Sequence, residues 1–72
     1  MQNYKNAGGN SGVKSFSIGV DYIIVQFRTG NLYTYSYKST GRDKVEEMKR
    51  LAIQGQGLNS YIIKYARMDY ER

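Results

Sequence analysis

The stretch Gly30-Asn31-Leu32-Tyr33-Thr34-Tyr35-Ser36-Tyr37 alternates tyrosines with non-aromatic residues directly after a glycine turn. Period-2 alternation puts Tyr33, Tyr35 and Tyr37 on one face of a strand. The rings then form either the roof of a core or an open platform for stacking bases. The hairpin that precedes them bears on this choice. A two-residue Thr29-Gly30 loop would pair Phe27 with Leu32 and Gln26 with Tyr33, setting the tyrosines beside Gln26 and Arg28 on a wet, basic face. A three-residue loop, Arg28-Thr29-Gly30, pairs Val25 with Tyr33 and Ile23 with Tyr35, on the face a helix would cover. The shorter turn needs positive φ at both loop positions, which a β-branched threonine resists. The longer one needs it only at Gly30. Turn chemistry therefore favours the core register, and a slip of one residue would exchange the two faces. In the favoured register Tyr22, Ile24, Gln26, Arg28, Leu32 and Thr34 make the open face.

Upstream, Tyr22 to Arg28 is rich in β-branched and aromatic residues, and Ser15 to Val20 alternates polar with apolar side chains, so each reads as a strand. Downstream, Ser39-Thr40 offers an N-cap, and Val45, Met48, Leu51 and Ala52 recur at helical spacing. Glu46 and Arg50 stand four apart, in the favourable order for a pair. Gly55 and Gly57 end that helix. Leu58, Tyr61, Ile62 and Tyr65 then mark the stripe of a second, short helix beginning near Asn59. The expected fold is α+β, in the order β-β-β-α-α: a three-stranded antiparallel meander with one longer and one short helix packed on one face. Residues 1–13 include a glycine- and asparagine-rich run and read as a flexible arm. Residues 14–68 form the single domain, and residues 69–72 read as a frayed tail.

The chain has 72 residues, 11 basic and six acidic, for a formal charge of +5. It has neither cysteine nor histidine, which argues against disulfides and against the usual zinc, haem and iron–sulfur sites. No apolar run reaches the about 20 residues of a membrane span. The polar start lacks the apolar region of a signal peptide, so the expected setting is the cytoplasm, with no membrane partner.

From Ser15 to about Tyr65 the chain resembles the KTSC domain, a short module named for the C-terminus of some lysyl-tRNA synthetases and also found as a stand-alone bacterial protein. The matching residues are Val25-x-Phe27 before the Gly30 turn, Tyr33-x-Tyr35, and Gly57 and Asn59 within Gly57-Leu58-Asn59-Ser60-Tyr61-Ile62. Leu58 stands alone where the family often has an aromatic pair, and the Gly19-Val20-Asp21-Tyr22 link is shorter than usual. The resemblance implies an RNA-binding role and no catalytic residues.

Excess positive charge and eight tyrosines point the same way, to a non-catalytic module for RNA or another nucleic acid. Arg28, Lys38, Arg42, Lys64 and Arg67 are the expected phosphate contacts, with Tyr22 as a stacking ring on the open face. Backbone amides at the start of the second helix, near Asn59, offer a further phosphate site. No catalytic residue, metal ligand or cofactor is expected. The competing reading is a protein-interaction or homodimerising domain that uses exposed Ile24 and Leu32 and an open sheet edge.

Overall fold

The computed structural model of the chain describes residues 1–6 and 12–71. It is α+β, with helices following a four-stranded antiparallel sheet of order β1-β2-β3-β4. The strands are β1 (Gln2–Asn3), β2 (Val13–Ile18), β3 (Tyr22–Phe27) and β4 (Leu32–Ser36). The β3–β4 pairing sets Ile23 opposite Tyr35 and Val25 opposite Tyr33. Phe27 N–H donates to the Asn31 carbonyl at 3.0 Å, closing the Arg28-Thr29-Gly30 loop, and Gly30 takes φ 96°. The longer loop thus wins because it confines positive φ to the glycine. Tyr35 is consequently 2% exposed, between Ile23, Val25 and the helices.

The fourth strand corrects the expected three-stranded sheet. Gln2 lies opposite Phe16 and Asn3 opposite Ser15, while Tyr4 N–H donates to the Lys14 carbonyl at 3.0 Å. The outer edge of β2 would otherwise present unpaired backbone groups, and residues 2–4 cover it. Tyr4 is buried, and its hydroxyl accepts the Leu58 N–H at 3.2 Å. The first residues therefore belong to the sheet and core, in contrast to the expected arm. Residues 7–11 of that arm lie outside the described residues.

Strand β2 starts earlier than alternation alone suggests. Val13 faces Phe27, yet Ser15 faces Gln26, so one extra residue bulges from β2. The bulge reverses the alternation, and both Val13 and Phe16 reach the core although they are three apart. At the other end Gly19 lies under the ring of Tyr22, where any Cβ would collide with it.

Three helices follow: α1 (Tyr37–Thr40), α2 (Arg42–Gln54) and α3 (Leu58–Tyr61). Ser36 rather than Ser39 or Thr40 is the first N-cap, in a reciprocal capping box with Ser39. Gly41, at φ 101°, then breaks the chain before α2. Helix α2 buries the expected Val45, Met48, Leu51 and Ala52 and ends at Gly55 in the left-handed conformation. Its internal ion pairs among the described residues are Glu46–Lys49 and Glu47–Arg50, not the expected Glu46–Arg50.

Helix α3 runs into a π-wound segment, Ile62–Ala66. The wider winding moves the next inward position on by one residue. Ala66 is therefore buried, and Tyr65, expected on the apolar stripe, is 54% exposed. The C-terminal segment is docked where a frayed tail was expected. Glu71 N–H donates to the Thr34 carbonyl at 2.7 Å, and the Thr40 hydroxyl donates to the Asp69 carbonyl at 2.7 Å. Among the described residues no helix is long and apolar enough to cross a membrane.

Candidate functional site

A cleft of about 450 Å³ opens where the β3–β4 loop, the π-wound segment and the C-terminal segment meet. Its aromatic side comes from Phe27, Tyr33, Tyr35 and Tyr70, and its aliphatic side from Ile62, Ile63 and Met68. The pleat explains part of this set. Phe27, Tyr33 and Tyr35 lie on the core face of the sheet, at the end where helix cover stops. Ile62 is buried, whereas Ile63 and Met68 are 57% and 59% exposed. The rings lock together: Phe27 meets Tyr33 edge-on at 5.6 Å, and Tyr70 lies 4.7 Å from Tyr33. Tyr70 also meets Tyr35 edge-on at 6.5 Å. Such contacts hold ring planes in fixed orientations.

Arg28 and Arg67 stand exposed at the margin, one on the hairpin loop and one just past the π-wound segment. Thr29, Asn31 and Asn59 add hydroxyl and amide groups, and among the described residues no carboxylate lines the cleft. Among the described residues neither Arg28 nor Arg67 is in an ion pair. Arg28 also borders a neighbouring depression with Lys14. Tyr35 is pushed up to about 12, chiefly by burial and then by the nearby Tyr33, Tyr70 and Asp69, so it stays neutral near pH 7.

Of the residues expected in a site, the structure brings Arg28, Arg67, Tyr33, Tyr35 and Asn59 together at this cleft. Gly30 shapes the loop, and Gly57 turns the chain into α3 at φ 87°. The others lie elsewhere. Tyr22 is at the far end of β3, about 17 Å along the strand from Phe27, on the opposite face and over Gly19. Arg42 stands 6.0 Å from the centre of the Tyr37 ring, which Lys49 approaches at 5.5 Å. Tyr37 donates to Glu46 at 2.5 Å; this bond is the main reason its hydroxyl titrates above the ordinary tyrosine range. Lys38 borders a separate depression with Ser39, Tyr70 and Glu71. Lys64 is exposed outside the cleft lining. At the start of α3 the Leu58 amide is taken by Tyr4, so the phosphate site expected there loses a donor.

Sequence reasoning missed Ile63, which lies off the expected stripe of Leu58, Tyr61, Ile62 and Tyr65, and Met68 and Tyr70, which lie beside and within the end read as frayed. The available signal was Met68-Asp69-Tyr70 itself, two large apolar side chains in a segment too rich in them for a solvated tail.

No family model, curated protein or solved structure matches the chain. What the cleft can do chemically therefore rests on its own side chains. It offers apolar and aromatic surface, two cationic groups and two side-chain amides. Among the described residues no three of His, Cys, Asp and Glu cluster as metal ligands would.

Proposed function

We propose that the protein is a small non-catalytic module that binds single-stranded RNA through this cleft. One observation carries the reading: an aromatic cleft flanked by two arginines that, among the described residues, have no ion-pair partner and share the lining with no carboxylate. A flat, apolar base joined to anionic phosphates complements that pattern. Base–aromatic stacking contributes about 1–3 kcal/mol per base and tolerates any sequence. Arg28 and Arg67 supply the phosphate contacts, and Asn31 and Asn59 can donate to and accept from base edges. The +5 formal charge adds long-range attraction. The resemblance to the KTSC domain supports the same role, and a cytoplasmic setting fits it.

The test is an NMR titration of the full chain with single-stranded RNA at two salt concentrations. Shifts should centre on Arg28, Tyr33, Asn59 and Arg67 and weaken steeply with salt. The affinity should fall with a log–log slope near −0.7 per phosphate engaged. No shifts at low salt, or shifts indifferent to salt, would overturn the reading.

The exposed Ile63 and Met68 favour a second reading, in which the same cleft meets a protein or a second copy of the chain. Light scattering at high protein concentration tests the homodimer; a monomer there removes it.

A further inference from the structure

Strand β2 carries one residue more than its partner: Val13 faces Phe27, Ser15 faces Gln26, and Lys14 has no opposite number in β3. Bulges of this kind re-aim a side chain, and they recur beside functional sites. Lys14 is exposed and borders a depression of about 320 Å³ with Tyr4, Asn6, Val13 and Arg28. Arg28 also borders the aromatic cleft, so the two hollows are neighbours across one side chain. We propose that they form a single track, in which a strand with one base stacked in the cleft passes over Arg28 and lays its next phosphate against Lys14. The inference rests on the nucleic-acid reading above and names the ligand unit: one base with its two flanking phosphates, and a third phosphate beyond Arg28.

The two hollows differ in what they offer. The cleft presents rings to a base. The depression has no ring to present: Tyr4 is 6% exposed, and its hydroxyl accepts the Leu58 N–H. Val13 is buried as well. What remains at the surface is Asn6 and the two cations. Among the described residues no carboxylate lines this depression, and neither Lys14 nor Arg28 is in an ion pair. A cationic hollow without a stacking face suits a phosphate and not a base.

The spacing suits successive phosphates of one strand. Arg28 N–H donates to the Gly12 carbonyl at 2.8 Å, which carries the β2–β3 pairing one residue past Val13 and Phe27. Lys14 and Arg28 are therefore diagonal neighbours across the pair, with backbones about 7–8 Å apart. The guanidinium grips an anion with a planar fork, whereas the lysine is a compact charge on a flexible stem that follows a phosphate as it moves. With Arg67 at the cleft margin, three cations serve three phosphates.

The test measures binding of 5′-phosphorylated oligouridylates of two, three and five residues, which carry two, three and five phosphates. It uses the full chain and its Lys14→Gln, Lys14→Arg and Lys49→Gln variants. Lys14→Gln should weaken binding of the three- and five-residue strands about tenfold at low salt, as the loss of a charged hydrogen-bond donor implies. It should bind the two-residue strand within about twofold of the parent, because that ligand ends at Arg28 and a more distant charge is screened. The log–log salt slope for the three-residue strand should flatten from about −2.1 in the parent to about −1.4 in Lys14→Gln, one phosphate's worth. Lys14→Arg keeps the charge and should match the parent. Lys49→Gln removes the same charge on α2 and should leave every strand within about twofold. In the parent the Lys14 amide resonance should shift with the three-residue strand and stay in place with the two-residue one. Parent-like binding of the longer strands by Lys14→Gln would overturn the inference and leave the nucleic-acid reading standing. Equal weakening of all three strands by Lys14→Gln, or equal weakening by Lys14→Gln and Lys49→Gln, would do the same, since either reports net charge and not position. A parent chain that binds none of the strands would remove the nucleic-acid reading and the track with it.

Discussion

The two ends of the sheet handle positive charge in opposite ways. At the α1–α2 end three cations are tied to partners: Lys49 pairs with Glu46 and donates to the Val20 carbonyl, Arg50 pairs with Glu47, and Arg42 faces the Tyr37 ring. At the hairpin end Arg28 and Arg67 border an aromatic cleft with, among the described residues, no carboxylate in its lining. Three of the six acidic residues sit on α2, which is why the balance differs so sharply along the molecule. Net charge is thus a poor guide to where an anion would bind. The informative quantity is the cation left without an internal partner.

The comparison depends first on the register that puts Tyr35 inside and builds the cleft from the tyrosines beside it. Tyr35→Ala should destabilise the fold by about 4 kcal/mol, the usual range for deleting a buried aromatic. Leu32→Ala, on the neighbouring exposed position, should change stability by less than about 0.5 kcal/mol. Urea unfolding of both variants measures the contrast. Similar small effects would mean that the sheet faces are exchanged and that the cleft is not built as described.

The next largest effect concerns the cleft cations. Arg28→Gln with Arg67→Gln should weaken single-stranded RNA binding roughly a hundredfold at low salt, since hydrogen bonds to charged groups contribute about 1.5–3 kcal/mol each. The salt slope should flatten by two phosphates' worth. Fluorescence anisotropy at three salt concentrations reads both numbers. A loss below threefold would shift the interface away from this end.

Alkaline titration checks the wall between the regions. Tyr35 ionises at about 12 when folded and near 10.0 otherwise, so the folded state holds its proton more tightly. That stabilisation is fully present below pH 10, falls as pH rises towards 12 and totals on the order of 2 kcal/mol. Denaturation midpoints followed from pH 9 to 12 should show this decline in the parent, and Tyr35→Phe should show a smaller one, the remainder coming from Tyr37 and Tyr61, whose hydroxyls are also raised. A parallel decline in Tyr35→Phe would assign the effect to another group.

How much of this was legible beforehand follows from the range of each interaction. The hairpin register was readable because it turns on one local fact, that Gly30 tolerates positive φ and Thr29 does not. The α2 stripe was readable because Val45, Met48, Leu51 and Ala52 carry their own period. The remainder depends on contacts distant in sequence. Tyr4 is buried because its hydroxyl meets the Leu58 amide, a partner 54 residues away. Tyr70 docks because Thr34 and Thr40 hold the backbone on either side of it. Composition suggested loose ends at both termini, and tertiary pairing overrode it. The cleft was half legible for the same reason: Arg28, Arg67 and Asn59 were named, but the aromatic ring that joins them lies in the C-terminal segment.

The smallest expected effect is the sharpest check on the comparison. Lys49→Gln with Arg50→Gln lowers the formal charge from +5 to +3, as does the Arg28→Gln, Arg67→Gln pair. If net charge governed binding, the two double variants would weaken RNA binding equally. If unpartnered cations govern it, the helix variant should bind within about twofold of the parent, because Lys49 and Arg50 already face carboxylates. Its cost should appear instead as a small loss of stability, since exposed ion pairs contribute little. Matched anisotropy and urea curves on the two variants separate these outcomes. Equal weakening by both pairs would reduce the hairpin end to one more part of a uniformly basic surface.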